Sequence, residues 1–341
     1  MNEKKPATLK ILAQELNLSI STVSRALANH PDISAETKKR VNQLALDLDY
    51  APNIFARGLK SRRSYILGVI VPNISHLFTS TILKGILDEA ENQGYKVIVS
   101  DSKYSEVKQN EMLQTMMQFG VDGILLSLAR KTIAIDPILK LAKRLPLVLF
   151  DKVSDKVPCT QIVINEEEAA FNAVDHLIQT GKKKIAIIKE TENSFNSEMR
   201  YAGYLRALRE NNIELDQKLV ISTEDISIIN GKRSANLLLS LKNRPDGIFA
   251  ITDGAAIGVI QALHKYKIKI PDEISVVGFS NSMHATIITP ALTTVDQPGQ
   301  KIGRTAVKFL IEEINTTATS LTTRTVEIKT NLIVRESTLR I

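Results

Sequence analysis

Arg25 follows Ser21 by four residues and Thr22 by three, in the run Ile20-Ser21-Thr22-Val23-Ser24-Arg25-Ala26-Leu27. On a helix this spacing gathers two hydroxyls and a guanidinium on one face, with Val23 and Leu27 turned the other way. Such a row can read a duplex. Short hydroxyls reach base edges, and a guanidinium forks onto guanine in the major groove. On an ordinary helical hairpin the same residues are only a solvated polar face, so the flanking elements decide between the two readings.

Those elements are three capped helices. Thr8 is a candidate N-cap before Leu9, Leu12, Ala13 and Leu16, which fall on one apolar stripe. Asn17-Leu18 breaks that stripe, and Ser19 caps a second helix, Ile20 to Ala28. Pro31-Asp32 makes a turn, and Ser34 caps a third helix striped by Val41, Leu44, Ala45 and Leu48. Pro52 ends that helix, because proline disfavours helix at the residue before it. Ile54 to Lys60 then has room for about two helical turns, too few to be stable alone and weakened by Gly58. Flanked by Arg57, Lys60, Arg62 and Arg63, it reads as a hinge helix that folds on DNA, with Leu59 as an apolar wedge for the minor groove, or else as a basic linker.

Charge follows the same division. Residues 1–64 hold eleven Lys/Arg against six Asp/Glu, a balance of +5 in a chain of +7, so everything after Ser64 carries only +2. Basic charge concentrated in a small front module is the footprint of phosphate binding.

From Tyr65 onward, continuous apolar strands alternate with amphipathic helices. Ile66–Val71, Lys96–Ser100, Gly123–Leu126 and Leu147–Phe150 form a first set, and a second opens at Gln161–Ile164 and runs through Ile185–Ile188, Leu219–Ile221, Gly247–Ile251 and Ser275–Phe279. This pattern predicts two doubly wound parallel sheets, an α/β sensor behind the helical module. Parallel sheets bind ligands at the carboxyl ends of their strands. Asn73, Phe78, Ser127, Asp151, Arg200, Asp253, Ser280 and Gln297 stand at or beyond such ends and are the candidate effector residues. Carboxylates and a guanidinium converging on a cleft suit a polyhydroxylated ligand, since each can hold two hydroxyls. Strand-end Asp and Asn are also common turn formers and caps.

No phosphate loop, nucleophile elbow or His-Glu-x-x-His is present, and the five histidines are scattered, so neither catalysis nor a cofactor is expected. The single cysteine, Cys159, leaves no internal disulfide, and no Cys/His cluster offers a metal site. The chain start lacks a signal-peptide run and the longest apolar stretches are strand-length, which predicts a cytoplasmic protein with no membrane partner.

The segment Leu18-Ser19-Ile20-Ser21-Thr22-Val23-Ser24-Arg25-Ala26-Leu27, the turn Tyr50-Ala51-Pro52-Asn53 and the run Ala56-Arg57-Gly58-Leu59 closely resemble the lactose-repressor (LacI/GalR) family of bacterial transcription regulators. The resemblance extends over essentially the whole chain and implies an N-terminal helix-turn-helix, a hinge helix and a two-lobed periplasmic-binding-protein-like sensor. The boundaries it suggests are 1–51 for the DNA-binding domain and 52–64 for the hinge. One sensor subdomain would be 65–160 plus 295–322, and the other 161–294 plus 323–341. The chain would cross between the lobes three times, with a final strand from Thr325 to Ile333 in the second.

The DNA-facing set is then Thr8, Ser19, Ile20, Ser21, Thr22, Ser24, Arg25, Thr37, Asn53, Ala56 and Leu59, with Leu59 matching the hinge leucine of the family. Ile20 stands where relatives carry a polar or larger residue; it touches a thymine methyl or packs against the first helix. Positions matching Asp151, Arg200 and Asp253 contact sugar or nucleoside effectors in the family. Two departures matter. Phe-Asp-Arg is Phe150-Asp151-Lys152 here, and Val-Gly-Phe-Asp is Val277-Gly278-Phe279-Ser280, which removes a carboxylate and leaves room for an anionic effector. The expected partners are a palindromic double-stranded DNA operator, a carbohydrate-like small-molecule effector and a second copy of the chain. The alternative is a sensor that answers to a partner protein.

Overall fold

The computed structural model describes residues 7–50, 63–130, 132–191, 195–316 and 323–339, in two compact units that divide between Ser64 and Tyr65. The front unit contains α1 (Leu9–Leu16), α2 (Ile20–Leu27) and α3 (Ala35–Asp47). Each begins where a hydroxyl satisfies a free amide. Thr8 Oγ1 accepts from Ile11 N at 3.3 Å, Ser19 Oγ from Thr22 N at 3.0 Å and Ser34 Oγ from Thr37 N at 3.2 Å. Asn17 closes α1 in the left-handed conformation (φ 56°) and turns the chain sharply into α2. Leu12, Ala13, Val23, Ala26, Val41 and Ala45 form the shared core. Leu27 is only half-buried, its expected place taken by Ala26, and Leu48 is exposed because α3 ends at Asp47 and the cap residue leaves the stripe.

The second unit carries β1 (Ile66–Val71), α4 (Leu77–Asn92), β2 (Lys96–Asp101), α5 (Glu106–Gln118), β3 (Gly123–Leu126), α6 (Asp136–Ala142), β4 (Leu147–Phe150) and β5 (Thr160–Val163). The chain continues through α7 (Glu166–Gln179), β6 (Ile185–Glu190), α8 (Phe195–Glu210), β7 (Val220–Thr223), α9 (Ile228–Ser240), β8 (Gly247–Ala250) and α10 (Asp253–Lys265). It closes with β9 (Ser275–Ser280), α11 (His284–Ile287), β10 (Thr293–Asp296), α12 (Gly299–Asn315), β11 (Thr325–Glu327) and β12 (Asn331–Ile333). Two six-stranded sheets result, in the orders β2-β1-β3-β4-β5-β11 and β7-β6-β8-β9-β10-β12. All neighbours are parallel except β10 and β12. Helices cover both faces of each sheet, which is why the strands read as unbroken apolar runs.

Two strand assignments differ from the sequence reading. The strand at 161–164 pairs with β4 in the first sheet instead of opening the second. No helix separates β4 from β5, so the break in the helix–strand rhythm falls one strand early; residues 151–159 close the parallel connection as a loop. The final strand is really two: β11 lies beside β5 and β12 beside β10, and β10 itself belongs to the second sheet. The chain therefore passes between the lobes after β5, after β10 and after β11.

The returning helix α12 is seated against α4 through paired glycines. A Cβ on Gly85 would collide with the Gln300 carbonyl, and one on Gly303 with the Ile82 carbonyl. Only backbone without side chain lets the two helices approach this closely.

Candidate ligand cleft and nucleic-acid interface

On α2, Ile20 is 50% exposed, and Ser21 and Arg25 are exposed beside it. Ile20 thus stays outside the core, contrary to packing on the first helix. Thr22 and Ser24 are half-buried. The Ser19 hydroxyl is shared between the Thr22 amide, Ser21 Oγ (2.7 Å) and Thr22 Oγ1 (2.8 Å). Thr8 and Thr37 sit in the first turns of α1 and α3, where Thr37 Oγ1 accepts from Ser34 Oγ at 2.9 Å. Asn53, Ala56 and Leu59, with the expected hinge helix, lie outside the described residues.

The carboxyl ends of the two parallel sheets enclose a cleft of about 460 Å³. The first sheet contributes Asn73 after β1, Tyr104 after β2, Arg130 after β3, and Asp151 and Lys152 after β4, while α4 adds His76, Phe78 and Thr79. From the second come Glu190 at the end of β6, Asn196 and Arg200 on α8, Asp225 after β7, Thr252 after β8, Ser280 closing β9 and Gln297 after β10. Six of the eight candidate effector residues meet here: Asn73, Phe78, Asp151, Arg200, Ser280 and Gln297.

Asp253 and Ser127 do not line the cleft. Asp253 is buried behind it, accepting from Thr294 Oγ1 (2.5 Å) and Ser282 N (2.6 Å), so its carboxylate pins the turn after β9. Burial pushes its pKa up, against those hydrogen bonds. Ser127 is 1% exposed, below the surface of the first lobe.

Most polar groups of the wall are already committed to one another. Arg200 is held from three sides: Nε donates to Glu166 Oε2 (2.7 Å), Nη1 to the Ile251 carbonyl (2.5 Å), and the guanidinium lies 3.6 Å from the Phe279 ring centroid. Burial drives the Glu166 carboxyl pKa up, and Arg200 pulls it back down. Asn196 Nδ2 bridges Glu166 Oε1 and Asp151 Oδ1, each at 3.0 Å. Arg130 reaches over from the first lobe, donating to Glu190 Oε1 (2.6 Å) and to the Glu224 carbonyl. The lobes are thus tied across the cleft at two points, Arg130 to Glu190 and Asn196 to Asp151. Burial, then the Lys152 charge, lowers the His76 pKa.

Comparison with known proteins places this architecture. Residues 8–53 match the bacterial regulatory proteins of the lacI family, and residues 174–338 match the periplasmic binding protein-like domain. Over 332 residues the chain is 35% identical to the NTD biosynthesis operon regulator NtdR of Bacillus subtilis, covering 97% of this chain and 99% of that one. The chain belongs to the lacI family. Catabolite control protein A of Priestia megaterium is 32% identical over 90% of this chain and 92% of its own. The lac repressor dimer bound to operator and an anti-inducer shares the fold at a TM-score of 0.89, with 24% identity, covering 98% of this chain and 100% of that one. This lacI-family member is accordingly a DNA-binding transcription regulator and not an enzyme. Among its described residues no helix is long and apolar enough to cross a membrane, and no cluster of His, Cys, Asp or Glu is placed to hold a metal.

The sequence reading missed Tyr104, Arg130, Glu166, Glu190 and Asn196. Arg130 and Glu190 follow the strand-end rule and were open to it. Glu166 opens a helix, where acids are ordinary, and Asn196 lies on a helix face; only the tertiary fold reveals their connection to Asp151 and Arg200.

Proposed function

We propose that this lacI-family regulator represses transcription as a homodimer on a palindromic operator, and that a small hydroxylated metabolite in the cleft controls it. The observation that carries the ligand half is the convergence of Asn73, Asp151, Arg200, Ser280 and Gln297 on one cleft of about 460 Å³ with Phe78 beside them. That size and mixture are those of small-molecule sites. The exposed row Ile20, Ser21 and Arg25 supports the DNA half. Relatives support both: a lac repressor structure is a dimer bound to operator, and CelR, similar in fold, is in complex with cellobiose. A ligand that competes for the Arg130 and Asn196 ties alters the balance between lobe arrangements and so couples the cleft to DNA affinity.

Selection of genomic fragments by the purified full chain at moderate salt tests this reading. An enriched palindrome with an easily kinked pyrimidine–purine step at its centre is expected. Leu59→Ala should weaken binding to that palindrome and leave nonspecific binding nearly intact; equal loss of both refutes the minor-groove wedge. No DNA binding, even with a metabolite mixture present, overturns the proposal. A cleft unresponsive to every metabolite, with DNA binding altered by a protein from the same cells, replaces the metabolite with a partner protein.

A further inference from the structure

Within the cleft, donors and acceptors are not equally committed. Asp151 accepts from Asn196, Glu190 pairs with Arg130, and Asp225 Oδ1 accepts from Ser227 N. Arg130 and Arg200 are each neutralised by a carboxylate. Lys152 differs: among the described residues no carboxylate forms an ion pair with it, and its ammonium lies 6.0 Å from the Tyr104 ring centroid. It lines the cleft together with His76, the residue at the start of α4.

That helix end is itself open. α4 is 16 residues long and no side chain caps it, whereas Ser227 and Thr252 close the starts of α9 and α10 on the same cleft. The first amides of a helix that long carry the positive end of its dipole toward whatever lies beyond.

Gln297 supplies an independent pointer. It is 5% exposed and lines the cleft together with His76, Phe78 and Thr79. Its Oε1 accepts from Ser280 Oγ at 3.1 Å, while its buried Nε2 has no hydrogen-bond partner among the described residues. A buried donor without an acceptor is costly, and a ligand that fills the site relieves the cost. Ser280 contributes by being neutral, since a carboxylate at that position of the cleft would repel an anion.

We infer that the cleft's ligand carries an anionic group, a phosphomonoester or a carboxylate, seated between the open start of α4, Lys152 and Gln297 Nε2. This inference rests on the metabolite-binding reading of the cleft. Helix starts are ready-made sites for such groups, and charge-assisted hydrogen bonds are the strong ones. The rest of the ligand then faces Asp151, Arg200 and Asn196, which suit hydroxyls, so the class is a phosphorylated or carboxylated polyol.

Thermal shift and calorimetry on the full-length protein, first with inorganic phosphate against chloride at constant ionic strength, test the anion. Phosphate should raise the melting temperature of the native sequence and of Arg25→Ala, which removes a charge on the DNA-facing helix. Lys152→Met and Ser280→Asp should each weaken the phosphate response by about tenfold or more. A phosphate effect lost in Arg25→Ala and kept in both cleft variants would place the anion on the DNA-binding module and overturn the inference. So would the absence of any shift beyond chloride. Glucose, glucose 6-phosphate and gluconate then separate the sources. Binding of glucose 6-phosphate alone selects phosphate, and binding of gluconate alone selects carboxylate. If neutral glucose binds and both acidic forms fail, the anion is wrong while a metabolite cleft stands. If neutral sugars, phosphorylated sugars and sugar acids all fail at millimolar concentration, the metabolite reading falls with it.

Discussion

On α2, Arg25 stands exposed with no ion pair among the described residues, while in the cleft Arg200 is 6% exposed and fixed by Glu166, the Ile251 carbonyl and the Phe279 ring. Both guanidiniums are candidates for touching a ligand, yet they are prepared in opposite ways. A DNA-reading arginine can wait in water, because water solvates it until a phosphate or a guanine displaces the solvent. A cleft arginine cannot wait unpartnered, since burying a lone charge costs several kcal/mol, so the fold supplies partners in advance and the ligand meets a pre-oriented group. In the proposed reading the front row contributes affinity without contributing stability, and the cleft wall contributes both.

Arg200→Ala should have the largest effect, leaving Glu166 buried without its cation and costing about 3–5 kcal/mol of stability in urea unfolding. A loss below about 1 kcal/mol would show that Glu166 simply takes up a proton and that the network is dispensable. Arg25→Ala should cost about 1–3 kcal/mol in operator binding and relax preference at one base pair, with no change in melting temperature. If sequence preference survives intact, Arg25 holds only a phosphate; if the protein is destabilised as much as by Arg200→Ala, the contrast itself is wrong. Ser19→Ala removes the α2 cap and should cost the front unit about 1 kcal/mol, read as faster amide exchange along α2 and not in the cleft. The smallest effect is a pH dependence. The folded His76 pKa lies below its ordinary 6.5, so the unfolded chain binds a proton that the folded one refuses. Stability contributed by this group is present above about pH 6.5 and is lost as pH falls through that value toward the depressed one. His76→Gln should lose less stability than the native sequence between about pH 7 and pH 5.5; identical slopes would show that the imidazole is solvated like a surface group.

The same contrast explains what could be read from the chain alone. The front unit was legible almost residue by residue, because its signals are local: hydroxyl caps at Thr8, Ser19 and Ser34, and stripes at helical spacing between them. Strand-end positions likewise led to Asn73, Asp151, Ser280 and Gln297. What escaped depends on distant neighbours. Asp253 looks like its cleft-lining counterparts in sequence, but Thr294 and Ser282 claim its carboxylate. Asn196 acquires its role by lying beside two acids, 45 and 30 residues earlier in the chain. The placement of β5 was hidden because the missing helix before it imitates a domain boundary.

The glycine-lined seat of α12 on α4 also constrains synthesis. α12 covers β3, β4 and β5, strands translated well over a hundred residues before it. On a ribosome adding about 5–20 residues per second, the first lobe therefore emerges with the β3 to β5 part of one sheet face bare and stays so for on the order of ten seconds, until the second lobe has been made and the chain has come back. During that interval the apolar face of β3 to β5 is open to chaperones and to other nascent chains. A truncation ahead of Gly299 would make this exposure permanent, yielding a chain prone to aggregate even though every residue of the first five strands is present.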